Sequence, residues 1–439
     1  MDLAINQKST GYKPALILMA ILFCTYLRVS LLLIYPAIVI ICFYIFHWKL
    51  DRNILIVSGL IILFWIASLR NGFFIKYNLV SFYYFIPFIL LLFARPLEVI
   101  RNNYLNILMS ALTVIIIIND IAGIIQYIRK PNDDSFIGFY GIFTVSQNGL
   151  SIVNSILFFY YLTSFQVYRK ITHFLLLMFF LICTVLGFYG AGLMVFLAAI
   201  FLTYLKISKK NILNLIVISL LTLGIIILLM KLISPYTYEY NLAIVNRFLH
   251  PTPQTIPRKL IIFQNYAEGY TSNFLDLLFG SGPGTFNSRT AFMVGSPTYF
   301  NVDIIKSEAK PYYFNNYAYT LWNPGNTGPY DGFMNQPFTS ILALLGEYGL
   351  IVTVLIITVV VSNFMRLKRF YSEKVINRSL LIPSDMYKFC SYNLLFLIII
   401  DNYIEYPEII GLILIIIKLS HQQLLSNYIL PSSKKKVLA

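Results

Sequence analysis

Apolar runs of membrane length alternate with short polar breaks along almost the whole chain, and a single long polar stretch, Ser234 to Pro337, interrupts them. A helix needs about 20 predominantly apolar residues to cross a bilayer. By that rule about twelve spans are expected, near 14–27, 29–46, 53–69, 77–94, 104–127, 146–165, 171–188, 190–205, 211–233, 338–364, 386–400 and 406–419. The first two are joined tightly at Arg28. Pro36, Gly190 and Gly192 fall inside runs, where neighbouring helices can satisfy freed backbone groups. The expected fold is all-α: a polytopic helical membrane protein in three parts. Helices one to nine occupy residues 1–233, a large and partly helical loop 234–337, and helices ten to twelve with a basic tail 338–439.

Composition agrees with the pattern. The chain is 58% hydrophobic and 12% charged, against roughly 25% charged in soluble domains. Its formal net charge of +15 does not point to nucleic acid, because the Lys and Arg residues sit in the breaks between spans. With the N-terminus placed in the cytoplasm, the inside breaks carry Lys49, Arg52, Arg95, Arg101, Arg169, Lys170, Lys206 to Lys210 and the tail run Lys434-Lys435-Lys436. The short outside breaks carry Arg28, Arg70, Lys76, Arg129, Lys130 and the acidic Asp401, Glu405 and Glu408. This positive-inside asymmetry puts both termini in the cytoplasm and the long loop outside it. No internal repeat is evident, which weighs against a transporter built from two related halves.

Cys24, Cys42, Cys183 and Cys390 lie within apolar runs, and His47, His173, His250 and His421 are far apart, so neither a disulfide framework nor a metal site is expected. The polar residues inside spans, Asn119-Asp120, Gln147-Asn148, Asn154 and Asp401-Asn402, all fall toward the outer ends of their helices. Intramembrane polar groups are interfacial, bonded between helices or functional; together these suggest a polar cavity opening on the side of the loop.

Within the loop, Pro257 predicts a helix start at Arg258, Gly269 its end, and Ser272 the cap of a short second helix through Phe279. Ile262, Tyr266 and Tyr270, with Phe263 and Ala267, form a helical stripe suited to the membrane surface. Arg247, Arg258 and Arg289 are the candidates for binding a pyrophosphate, because a planar guanidinium makes paired, charge-assisted hydrogen bonds. Their ordinary alternatives are lipid headgroups or ion pairs with Glu239, Glu268 or Asp276. Gly280-Ser281-Gly282-Pro283-Gly284 lacks the Lys and Ser/Thr of a nucleotide phosphate loop; it reads as a tight turn whose amides form an anion nest. The tyrosines Tyr312, Tyr313, Tyr317 and Tyr319, running to Trp322 among asparagines, suit a sugar or an interfacial belt. Candidate bases are His250, Glu268, Asp303, Glu308, Asp331 and, in the next helix, Glu347.

Four segments resemble the bacterial O-antigen polymerase and O-antigen ligase superfamily, membrane glycosyltransferases that use lipid-linked glycans. They are Gly141 to Asn148-Gly149-Leu150; Arg258 and Phe263 followed by Leu278-Phe279-Gly280-Ser281-Gly282-Pro283-Gly284-Thr285-Phe286; Leu342, Leu345, Glu347, Gly349 and Leu350; and the spacing of Arg258 to Gly269. The likeness covers most of the chain beyond about Gly138. Phe338 and Thr339 stand where ligases carry a histidine–asparagine pair, and Gly190-Ala191-Gly192 where many members show S-R-G. The missing histidine favours a polymerase over a ligase.

The resemblance implies a bacterial cytoplasmic-membrane enzyme joining undecaprenyl-pyrophosphate-linked oligosaccharide repeat units at the outer face, for O-antigen or capsule. Arg258, with Arg289 or Arg247, would stabilise the pyrophosphate leaving group. Asp331, then Glu347, would take the acceptor's proton, and Asn148, Tyr313, Tyr317 and Trp322 would line the glycan path. No cofactor or metal is implied; membrane lipid and a chain-length regulator protein are the further partners. The alternatives are a ligase delivering glycan to lipid A core or protein, and a lipid-linked oligosaccharide flippase.

Overall fold

The structure is a computed structural model. It describes residues 13–96, 103–130, 136–141, 146–187, 190–204, scattered positions between 217 and 232, 235–250, 258–296, 302–321, 339–372 and 380–435. The first helices follow the apolar runs closely: α1 (Lys13–Cys24), α2 (Arg28–Ile45), α3 (Asn53–Ser68), α4 (Ile75–Leu92), α5 (Tyr104–Arg129), α6 (Ser146–Tyr168), α7 (Ile171–Leu186) and α8 (Gly190–Tyr204). Within the long polar stretch lie α9 (Pro235–Leu249), α10 (Arg258–Thr271), α11 (Phe274–Phe279) and α12 (Arg289–Gly295). The chain continues with α13 (Ser340–Ser372), α14 (Leu381–Ile400) and α15 (Leu412–Lys435).

Seven of the described helices are long and apolar enough to cross a membrane, and α1, α7 and α8 are apolar but shorter. The expected span 211–233 lies largely outside the described residues. On α2 and α3 the side chains of Leu33, Ile40, Tyr44, Leu55 and Ile62 are exposed. A contiguous apolar exterior of this kind marks a membrane or partner surface.

Inside the bundle, α6 packs on α7, α8 and α14; α14 on α8 and α15; α1 on α5; and α2 on α4. The breaks after α2 and α4 pair as two short antiparallel strands, β1 (Trp48–Leu50) and β2 (Ala94–Pro96), with Lys49 opposite Arg95. An Asp51–Arg95 ion pair extends this clip.

The polar stretch has a core of its own. Ile262, Tyr270, Phe286, Phe292, Tyr313 and Phe314 cluster with Tyr77 of α4 and Leu342 of α13. This corrects the membrane-surface expectation for the α10 stripe: Ile262 and Tyr270 are fully buried in this core, Tyr266 lies against it, and Phe263 and Ala267 are exposed. Two local expectations are also corrected. Helix α10 runs past Gly269 to Thr271, because Gly269 serves close packing: a Cβ there would meet the Tyr317 ring at 3.0 Å. Asn273 caps α11, accepting from the Leu275 N–H. Ser272 instead donates back to the Gly269 carbonyl at 2.8 Å.

Candidate functional site

The Gly280–Gly284 turn is clamped between α4 and α13. Ser281 N–H donates to the Gly346 carbonyl at 2.7 Å and Gly282 N–H to the Glu347 carbonyl at 3.1 Å. From the other side, the Asn78 side-chain amide donates to the Pro283 carbonyl at 2.8 Å. The approach leaves no room for a side chain. Gly280 and Gly349 both have positive φ, 78° and 77°. A Cβ on Gly349 would lie 2.2 Å from the Leu278 carbonyl oxygen, and one on Gly280 would lie 2.5 Å from that of Glu347. Only glycine satisfies both demands.

The turn does form an anion nest, and the anion comes from the chain itself. The Glu347 carboxylate accepts the Gly284 N–H at 2.6 Å on Oε2, and those of Phe286 at 3.2 Å and Ser288 at 3.0 Å on Oε1. Glu347 is buried. A carboxyl bonded to three backbone donors in a closed site anchors the turn, which gives Glu347 a structural part beside the base role expected of it.

In front of this turn opens a cleft of about 220 Å³, lined by Asn71, Phe74, Asn273, Asp276, Ser281, Thr285, Pro311, Tyr312 and Tyr313. Its floor is Asp276, fully buried. The Asp276 carboxylate pairs with Arg70 and accepts from Asn71 at 2.7 Å on one oxygen. On the other it accepts from Asn273 at 2.6 Å and from the Tyr313 hydroxyl at 2.7 Å. Beside it the hydroxyls of Tyr270, Ser281 and Thr285 form a chain, at 2.8 and 2.7 Å. Behind Tyr313, which lines the cleft, rings stack: Tyr266 on Tyr270 at 4.7 Å, Tyr270 on Tyr313 at 4.3 Å and Tyr313 with Tyr317 at 6.0 Å. Tyr312 stands edge-on to Tyr313 with its side chain largely exposed. Ring faces beside amides, hydroxyls and a carboxylate can hold a sugar ring by stacking and hydrogen bonding. The volume is below the ~300–1,000 Å³ of a drug-sized pocket, a size for one unit of a larger ligand.

The cleft collects Tyr313 from the expected site, with Tyr317 stacked behind it. Arg289 is elsewhere. It opens α12, buried, with its guanidinium 4.0 Å from the Tyr406 ring centroid and Nη1 donating to the Glu405 carbonyl at 3.3 Å. Asn148 lies half-buried on α6 and does not line the cleft. Trp322 and Asp331 lie outside the described residues, as do the side chains of Arg247 on α9 and Arg258 on α10. Sequence reasoning had not singled out Arg70, Asn71 or Asp276 as site residues. The available signal was an acidic residue four positions before Gly280, together with an arginine in an outside break.

Asp401-Asn402 joins the bundle to this unit. The Ser340 hydroxyl donates to the Asp401 carbonyl at 3.0 Å, and Asn402 donates to Glu405 at 2.8 Å. Glu405 in turn accepts the Thr290 hydroxyl at 2.7 Å. Burial holds the Glu405 carboxyl above the ordinary carboxylate range. Among the described residues no three His, Cys, Asp or Glu side chains meet to hold a metal ion.

The stacked tyrosines give a pH expectation. Burial pushes the Tyr266 hydroxyl up to about 12, and those of Tyr270 and Tyr313 also upward, against about 10 in an unfolded chain. A raised phenol stabilises the fold fully below pH ~10, and that stability is lost as pH rises through the folded-state value. The phenolate absorbance of Tyr266, Tyr270 and Tyr313, read as the part missing from their Phe variants, should therefore appear together with unfolding above pH ~10. That part appearing near pH 10 with the fold intact would contradict the burial of these rings.

No protein-family model matches the chain, and no curated protein matches it in sequence.

Proposed function

We propose that this protein is a polysaccharide polymerase of the O-antigen polymerase and ligase type. It joins lipid-pyrophosphate-linked repeat units at the outer face of a bacterial cytoplasmic membrane, with about twelve spans and both termini in the cytoplasm. The observation that carries this reading is the cleft, where aromatic faces, amides, hydroxyls and Asp276 meet directly in front of the glycine turn. Two segments of the family resemblance, Gly280 to Phe286 and the Glu347-to-Gly349 part of α13, support it by interlocking through the Glu347 carboxylate.

On this reading the growing glycan on its lipid pyrophosphate is the donor, and a hydroxyl of a single lipid-linked repeat unit attacks it. Arg258, with Arg247, stabilises the departing pyrophosphate, whose charge develops in the transition state. Arg70, paired with Asp276 and with its side chain 29% exposed, supplies a further cation. Glu347 being occupied, Asp331 takes the acceptor's proton. Tyr312 and Tyr313 hold a sugar of the incoming unit.

The test is Arg258→Ala, with membrane insertion verified and the surface glycan resolved on a gel. The expected result is loss of the long-chain ladder with single-repeat product retained. A normal ladder overturns the role of Arg258. Long chains accumulating on the lipid carrier in a deletion strain would identify a ligase, and repeat units trapped inside would identify a flippase.

A further inference from the structure

The cleft in front of the glycine turn has a chemical polarity of its own, set by where its hydrogens go. A hydroxyl has one hydrogen to give and two lone pairs to offer. Thr285 gives its hydrogen to the Gly282 carbonyl at 2.6 Å. The Ser281 hydroxyl lies 2.7 Å from that of Thr285, 2.8 Å from that of Tyr270 and 3.0 Å from the Gly346 carbonyl, so its hydrogen also stays inside the protein. Tyr313 gives its hydrogen to Asp276 at 2.7 Å. These three hydroxyls belong to the lining of the cleft, and each is left with lone pairs alone to offer a ligand.

The amides of the lining are turned the same way. Asn71 and Asn273 each spend one N–H on the Asp276 carboxylate, at 2.7 and 2.6 Å. The side-chain donors that remain in the lining are their second amide hydrogens and the Tyr312 hydroxyl, all of them neutral. Among the lining residues Asp276 is the only charged one; Arg70 pairs with it but is not part of the lining.

An anion entering here would meet a carboxylate and hydroxyl lone pairs, with no cation to replace the water it gives up. Like charges brought together in this way reject a partner strongly. A neutral sugar meets the opposite case. Each hydroxyl it carries is a donor, and the acceptors are already in place.

We infer that the cleft selects an uncharged sugar through the hydroxyl groups which that sugar donates, and rejects uronates and other acidic sugars. This rests on the glycan reading above and narrows it. It also places the pyrophosphate outside the cleft, with the arginines.

The test uses the full-length protein in detergent and ligand-observed NMR. The probes are methyl glycosides of glucose, galactose and N-acetylglucosamine, the uronates of the first two, and the methyl esters of those uronates. The expected result is binding of a neutral glycoside, with its uronate weaker by about tenfold or more at pH 7 and the uncharged ester recovering most of the loss. Fluorine in place of a hydroxyl that faces the turn cannot donate, and should weaken binding about tenfold. Tyr312→Ala, a change at a largely exposed side chain, should weaken every bound glycoside and so tie the binding to the cleft. A uronate bound as tightly as its neutral parent, or fluorinated analogues that all bind like the parent, overturns the selection and leaves the glycan reading standing. Binding of no glycoside, or binding indifferent to Tyr312→Ala, takes the sugar out of the cleft, and the glycan reading of the cleft falls with it.

Discussion

Replacing Glu347 with alanine is expected to deplete folded protein rather than merely slow turnover. The substitution strips the acceptor from three buried N–H groups, those of Gly284, Phe286 and Ser288. An unsatisfied buried donor costs about 1–3 kcal/mol, so the loss rivals the ~5–15 kcal/mol by which whole domains are stable. Glu347→Gln keeps one oxygen in the nest but turns an amide NH2 toward another donor, and should sit between wild type and alanine. Protein level in the membrane and the unfolding midpoint in detergent check the order. A Glu347→Ala protein with a wild-type midpoint and no polymer would return Glu347 to the chemistry.

Removal of Arg70 is the second large effect, and its pairing is asymmetric. The Asp276 side chain is 1% exposed and that of Arg70 29%. Taking away Asp276 leaves an arginine that can turn to water. Taking away Arg70 leaves a carboxylate deep in the protein without its cation. Stranding one partner of a buried pair costs about 3–5 kcal/mol; the partial exposure of Arg70 puts this case at the lower end. Arg70→Ala should accordingly expose the segment around α11 to protease and shorten the glycan ladder. The double variant Arg70→Ala with Asp276→Asn separates two roles, since neighbours are not additive. If it recovers protease resistance without recovering the ladder, while Asp276→Asn alone keeps the ladder, Arg70 touches the ligand. If both recover, Arg70 serves only to neutralise Asp276, and its place in the proposed chemistry falls.

The bundle was legible because apolar run length translates directly into helix length. Asn53 and Tyr104 open both the expected spans and the observed helices. The local chemistry of α10 and α11 was partly legible. The helix expected from Arg258 is there, but Gly269 and Ser272 were misread, because a glycine for close packing and a glycine for termination look alike without the Tyr317 ring in view. The Ile262–Tyr266–Tyr270 stripe has the same period whether it faces lipid or a protein core. The anion nest was readable from three glycines, while its occupant, 63 residues away in sequence from Gly284, was not. Arg70 and Asp276 are 206 residues apart, and no spacing rule reaches that far.

The same separations carry a consequence for biogenesis. The glycine turn is complete only when Glu347 arrives, and α12 is tied down only when Glu405 does, 115 residues beyond Thr290. During synthesis the segment between α9 and α13 therefore emerges before the groups that hold it. Its assembly must await insertion of α13 and of the chain beyond α14. A nascent chain stalled before Ser340 would present the tyrosine-rich core without its supports, in a form that surveillance proteases can distinguish from the finished protein.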